Sequence, residues 1–205
     1  LAVRWMLVGD DFRFGAHRTG DCAMLKTSSA QYGFEVAEMP SYTLGDLRVS
    51  STVVREALVT GDLELARILL GRPYSISGRV IEGDKLGKKI GYPTANIQLK
   101  HNRPPLSGIF VVKVYGTDEL SPRAVVHGVA SLGIRPTVHE DGKPVLEVYL
   151  FDFKKEIYGC HLRVDFLHKL RDEEKYPDLE TLTRQIRRDV ENAKNYFLRS
   201  SSSVN

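Results

Sequence analysis

The sequence predicts an α+β protein in which a short α/β segment precedes an antiparallel, β-rich domain that ends in a helix. Three observations carry this. Strand-like and helix-like runs alternate up to residue 72. From Tyr74 onward, short alternating runs succeed one another across Gly, Pro, Asp and Lys with no helix between them. Near the C-terminus an apolar stripe recurs at helical spacing. With 205 residues, 42% of them hydrophobic, the chain can bury a core, as one domain or as two small ones.

Residues 2–8 read as a buried strand that runs into the loop GDDFRFGAHRTGD. Ala23–Tyr32 suits a helix and Phe34–Glu38 a short strand. After RVSST, the spacing of Val53, Val54, Ala57 and Leu58 predicts a helix. A second runs from Leu63 to Leu70, with Asp62 as its N-cap and Gly71 as its stop. Arg72-Pro73 marks the boundary between the two parts. Beyond it a strand ends near Ile81, and Ile109–Tyr115, Ala124–Ala130, Val145–Phe151 and Leu162–Leu167 read as further strands. Such a series forms an antiparallel barrel or a sandwich. In the last strand Leu162, Val164 and Phe166 share one face, and Arg163 and Asp165 the other. Leu179, Leu182, Ile186, Val190, Ala193 and Phe197 form the stripe of the closing helix, and residues 200–205 read as an unstructured tail.

Composition narrows the function classes. The net charge is +3 with both signs interleaved, so no basic tract points to nucleic acid. Cys22 and Cys160 stand far apart without a CxxC pattern, which argues against zinc and against a disulfide framework and for a reducing, cytoplasmic setting. No apolar run is long enough to span a bilayer, and LAVRWMLVGDD lacks the pattern of a signal peptide. Small-molecule substrates and a monomer are the expected associations.

The segment GRVIEGDKLGKKIGYPTANI, residues 78–97, carries the first chemistry. Gly83 and Gly87 let the backbone N–H groups approach an anion, and Lys85, Lys88 and Lys89 add charge. Pro93 stiffens the turn, Thr94 offers a hydroxyl of the kind that ligates Mg²⁺ beside phosphate, and Asn96 offers a donor and an acceptor. The physics describes a hairpin-like loop suited to a phosphate and a metal, and the same composition also suits a solvated turn. In VLEVYLF, Glu147 shares a face with Val145, Tyr149 and Phe151, as either a strand residue facing water or a placed catalytic group. His127, His161 and His168 lie on strands, and no two histidines have zinc-motif spacing.

GDKLGKKIGYPTANI closely resembles the signature of riboflavin kinases. GVASLGIRPTV (128–138), LEVYLFDFKKEIYG (146–159) and LRDEEKY (170–176) resemble that family's further segments, in its order. The resemblance covers almost all of residues 74–198. It implies a six-stranded antiparallel barrel that uses Mg²⁺ and transfers the γ-phosphate of ATP to the 5′-hydroxyl of riboflavin, giving ADP and FMN. It further implies that Thr94 and Asn96 work at the metal and the nucleotide phosphates, that Glu147 is the general base, and that Arg171 and Glu174 lie near the flavin.

VGDDFRFGAHRTGD (8–21) and RVSSTVVREAL (48–58) resemble the adenylyltransferase module of bifunctional FAD synthetases, a Rossmann-like nucleotidyltransferase fold. That resemblance points to Asp11 and Arg18 in the flavin loop and to Ser51, Thr52 and Arg55 at the phosphates. GDLELARILLGRPY (61–74) resembles the linker helix into the kinase domain. The expectation is therefore an incomplete module over residues 1–72, a kinase domain over 73–199, and a parent protein with both activities. The chain has no HxGH-type histidine pair, opens on Leu and begins within a strand, so it is expected not to adenylylate FMN. A different class, a non-catalytic barrel that binds a nucleotide or single-stranded nucleic acid, would need aromatics interleaved with Lys and Arg along one strand face, and these are missing.

Overall fold

The computed structural model describes residues 3–83, 86–99, 103–118, 121, 124–134 and 144–202. The chain forms two compact units, Leu1–Ser50 and Ser51–Asn205.

In the first unit, strand β1 (Trp5–Gly9), helix α1 (Cys22–Tyr32) and strand β2 (Glu35–Met39) make one βαβ step. The two strands pair in parallel from Trp5 opposite Glu35 to Gly9 opposite Met39, as the alternating α/β pattern requires. Asp21 caps α1 by accepting from the Met24 amide at 2.9 Å, and Gly33 ends it in the left-handed region. Val8, Cys22 and Leu25 form the small core. The hairpin of β3 (Thr43–Leu44) and β4 (Leu47–Arg48) completes the unit.

The second unit opens with helices α2 (Ser51–Thr60) and α3 (Leu63–Leu70). Asp62 accepts from the Leu65 amide at 2.9 Å and Gly71 adopts φ 67°, the start and stop that the sequence signals. Strands β5 (Tyr74–Ile81), β6 (Thr94–Ile97), β7 (Gly108–Tyr115), β8 (Val125–Ile134), β9 (Pro144–Leu150) and β10 (His161–Arg171) follow, with a single helical turn α4 (Leu86–Lys89) between β5 and β6. They close into an antiparallel barrel in the order β10-β5-β6-β9-β8-β7, which settles barrel against sandwich. Phe110, Leu132, Leu146, Val148, Leu162, Val164 and Phe166 fill it, each 0–1% exposed.

Several features depart from the sequence reading, among them β1, read as buried, in which Trp5 and Leu7 are exposed. Leu58, Leu63 and Ala66 belong to the barrel core, so α2 and α3 pack with the barrel, and the compact division falls at Ser50 rather than at residue 72. Residues 94–97 are a barrel strand and not a loop, because Ile97 is buried in that core and pairs with Val80. β10 carries two bulges, with Leu167 and Leu170 as the extra residues against β7. The last helix, α5 (Leu179–Ser202), runs past residue 199, and the Ser200 hydroxyl donates to the Tyr196 carbonyl where a tail was expected. Residues 203–205 lie outside the described residues.

The α5 stripe lies over β7 and β8, which is why β7 is buried on both faces. Leu179 is 54% exposed and does not join it. Among the described residues no helix is long and apolar enough to cross a membrane.

Candidate active site

A cavity of about 220 Å³ lies on the outer barrel wall, between the segment leading into β6, the segment following β10, and α5. Strand register determines which side chains reach it. Leu146, Val148 and Leu150 of β9 point into the core, so Glu147 and Tyr149 point out. Residues directly opposite in an antiparallel pair share a face. Asn96 is opposite Glu147, Glu147 is opposite Ser131, Ser131 is opposite Ile109, and Ile109 is opposite Arg171. These five residues form one rung across β6, β9, β8, β7 and β10. From Glu147 to Arg171 the rung crosses three strand spacings, roughly 14 Å along the wall.

Gly87, Ile90 and Tyr92 form one end of the cavity, above Thr94. A Cβ at Gly87 would collide with the Tyr92 carbonyl oxygen and lie 3.4 Å from the Thr94 hydroxyl, so only glycine lets this turn close down. Gly83 packs in the same way onto the side chain of Asn96, which is 8% exposed. Tyr92 meets Tyr149 edge-on at 5.3 Å. Burial, reinforced by the Tyr92 phenol and by Asp152, holds the Tyr149 phenol above its ordinary value, so it remains a neutral donor.

The other end is ionic. Arg171 donates from Nε at 3.0 and 3.2 Å and from Nη2 at 2.7 Å to the carboxylate of Asp189, which is 3% exposed. Gln185 donates to the same carboxylate at 3.0 Å. Burial alone would depress the guanidinium, but the Asp189 contacts outweigh it and hold its pKa above the ordinary arginine value. The Ser131 hydroxyl donates to Glu173 at 2.9 Å, and the Tyr176 hydroxyl to Glu174 at 3.1 Å. Burial, with Glu174 and Asp189 adding to it, raises the Tyr176 phenol although Arg171 opposes. Leu182, Ile186 and Val190 of α5 form the apolar roof.

Gly87, Thr94, Glu147, Arg171 and Glu174 therefore come together around one cavity. Asn96 sits on the same rung beneath Gly83, while Lys88 and Pro93 are exposed beside it. Lys85 lies outside the described residues. His127 and His168 stack on Phe197 and Tyr196 of α5, and His161 is exposed. In the first unit, Arg48 bridges Asp10 at 3.2 Å and Asp11 at 2.8 Å, and Arg18 is exposed with φ 57°. Ser51, Thr52 and Arg55 are exposed on the first turns of α2, in the second unit.

Sequence reasoning missed Asp189, Glu173, Ser131 and Tyr176. Asp189 had a signal: it falls three positions after Ile186 and four before Ala193, on the apolar stripe, and a carboxylate there requires a partner.

A family profile described as riboflavin kinase matches residues 70–197, and one described as FAD synthetase matches residues 1–53. The bifunctional riboflavin kinase/FMN adenylyltransferase of Haemophilus influenzae is 47% identical over 197 residues, 96% of this chain and 62% of the relative. The protein of the same name from Pseudomonas fluorescens is 46% identical over 190 residues, 93% and 60% of the two chains. The chain thus spans about three-fifths of the length of these relatives. A solved structure of a protein named macrolide-efflux protein, from Streptococcus pneumoniae, superposes with a TM-score of 0.70 at 33% identity, covering 91% of this chain and 59% of that one.

Proposed function

We infer from one premise, that the chain belongs to the riboflavin kinase family, that its barrel transfers the γ-phosphate of ATP to the 5′-hydroxyl of riboflavin, giving FMN and ADP. The observation that supports this most is the rung on which Glu147 stands between Asn96 and Arg171, under one cavity. A phosphoryl acceptor needs a base at its hydroxyl, a phosphate site on one side and a seat for the rest of the substrate on the other.

Glu147 takes the proton of the 5′-hydroxyl as its oxygen bonds to the γ-phosphorus and the bond to the bridging oxygen of ADP breaks. Gly83, Lys85, Gly87, Lys88 and Pro93 are assigned to the nucleotide side, where the two lysines add positive charge for the phosphates while the Ile90, Gly91 and Tyr92 amides close the turn itself. The Thr94 hydroxyl and the Asn96 carbonyl oxygen, two positions apart on β6 and so on one face, are hard neutral donors of the kind that suits Mg²⁺ shared with phosphate oxygens. When bound, that ion neutralises charge on the transferring phosphoryl group. Arg171 and Glu174 belong to the flavin side, where the aliphatic roof of α5 covers a flat apolar ring and excludes water.

The first unit enters through the FAD synthetase match. Asp11 and Arg18 there, with Ser51, Thr52 and Arg55 of α2, are the residues carried over from the adenylyltransferase pattern. Without an HxGH-type pair in these 205 residues, the chain makes FMN and no FAD. Incubation with riboflavin, ATP and Mg²⁺, followed by chromatography of the flavins, tests both statements. FMN alone is the expected result; no FMN overturns the kinase, and FAD overturns the second statement.

A further inference from the structure

Arg171 is an unusual arginine to find in a substrate cavity, because its hydrogen-bonding edge is already engaged. Nε and Nη2 face both oxygens of Asp189, and Nη1 donates to the Asp172 carbonyl at 2.9 Å. Three of the five N–H groups of a guanidinium are thus committed inside the protein, on a bidentate pair that fixes its plane. Asp189 is in turn fixed by Gln185 one helical turn earlier. The guanidinium carbon lies 5.8 Å from the Tyr176 ring centroid, so an aromatic neighbour already uses the cation. Beside the carboxylates of this end, the cavity also carries an aliphatic wall of Ile109, Leu182, Ile186 and Val190.

We propose that Asp189, supported by Gln185, is a positioning residue that holds Arg171 as a flat cationic plate, so that Arg171 meets the planar ring of the substrate by stacking rather than by a forked hydrogen bond. This rests on the kinase reading above for the identity of the ring. A delocalised, weakly hydrated guanidinium stacks on flat heteroaromatic surfaces, which an ammonium cannot do. A buried carboxylate on α5 costs desolvation unless its partner is fixed against it, and here that partner lines the cavity. The ion pair also joins the end of β10 to the middle of α5, so the plate and the apolar roof are set by one contact.

The test is steady-state kinetics on Asp189→Asn, which keeps the shape and removes the charge. The riboflavin KM should rise about ten- to thirtyfold, while kcat and the ATP KM stay within about twofold. In an Arg171→Met background, Asp189→Asn should change the riboflavin KM no further, since Asp189 acts only through Arg171. Arg171→Lys should not restore the wild-type value. Gln185→Ala, a milder change, should raise the riboflavin KM about twofold and serves if Asp189→Asn fails to fold. An unchanged riboflavin KM in Asp189→Asn, a further rise in the Arg171→Met background, or full function in Arg171→Lys each overturns the proposal. If the wild-type protein makes no FMN, the kinase reading fails by itself. The same variants are then read by quenching of riboflavin fluorescence on binding, and a wild-type chain that binds no flavin overturns the positioning role as well.

Discussion

Leu58→Ala tests whether α2 belongs to the barrel. Leu58 is 2% exposed and lies in the core cluster that includes Phe110, Leu162 and Phe166. The change removes three carbons at about 0.8 kcal/mol each, roughly 2.4 kcal/mol of transfer free energy. α3 lies against α2 and shares this cluster, and a residual cavity brings the total to about 3–4 kcal/mol. The assay is native-state amide exchange of the barrel strands, in which that loss appears as two to three decades less protection, about one decade per 1.4 kcal/mol. Trp5, the single tryptophan, lies in the first unit and gives an independent readout of that unit's unfolding by fluorescence. If β7, β8 and β10 keep wild-type protection while the Trp5 transition moves, then α2 is stabilised by the first unit and the division at Ser50 is wrong.

Three further outcomes are expected. Glu147→Gln lowers kcat for riboflavin phosphorylation at least a hundredfold with nucleotide binding within about twofold, by chromatographic assay and by ADP titration. Gly87→Ala forces a methyl into the Tyr92 carbonyl and opens the turn, and together with Thr94→Ala it raises the KM for Mg²⁺–ATP about tenfold or more while the riboflavin KM holds. The His127 imidazole is pushed below its ordinary value by burial and by Lys113. Its contribution to stability is therefore complete above about pH 6.5 and declines as pH falls through the lowered folded value, where the unfolded chain binds the proton first. Urea midpoints from pH 7.5 to 5 should fall less in His127→Phe than in wild type, and equal slopes would remove His127 as a source.

Period and punctuation made much of this fold legible. Asp62 and Gly71 bracket α3 because a cap and a left-handed stop are local properties. β9 and β10 were readable from alternation, which also put Glu147 on one face with Tyr149, although the burial of the other face, not the pattern, shows that this face points outward. β6 was not readable: Thr-Ala-Asn-Ile is four residues long, polar at two, and is a strand only because β5 and β9 flank it. Nor were the bulges in β10, since an extra residue shows only against its partner strand. In the site, Thr94, Glu147, Arg171 and Glu174 were visible through resemblance to family motifs. The stripe shows that Asp189 needs a partner but not which one, since Arg171 lies 18 positions away on a different element.

The barrel closes between β10 and β5, its last and first strands. Roughly eighty positions separate Ile81 from His161. A ribosome adding about 5–20 residues per second needs about 4–16 s to cross that gap. Throughout that interval one edge of β5 has no strand to pair with, and an open edge recruits other chains. α2 and α3, whose apolar residues share the barrel core, have already emerged by then. Deleting them should therefore reduce the yield of soluble protein made at high expression more than it slows refolding of the dilute chain, because aggregation depends on concentration and closure does not.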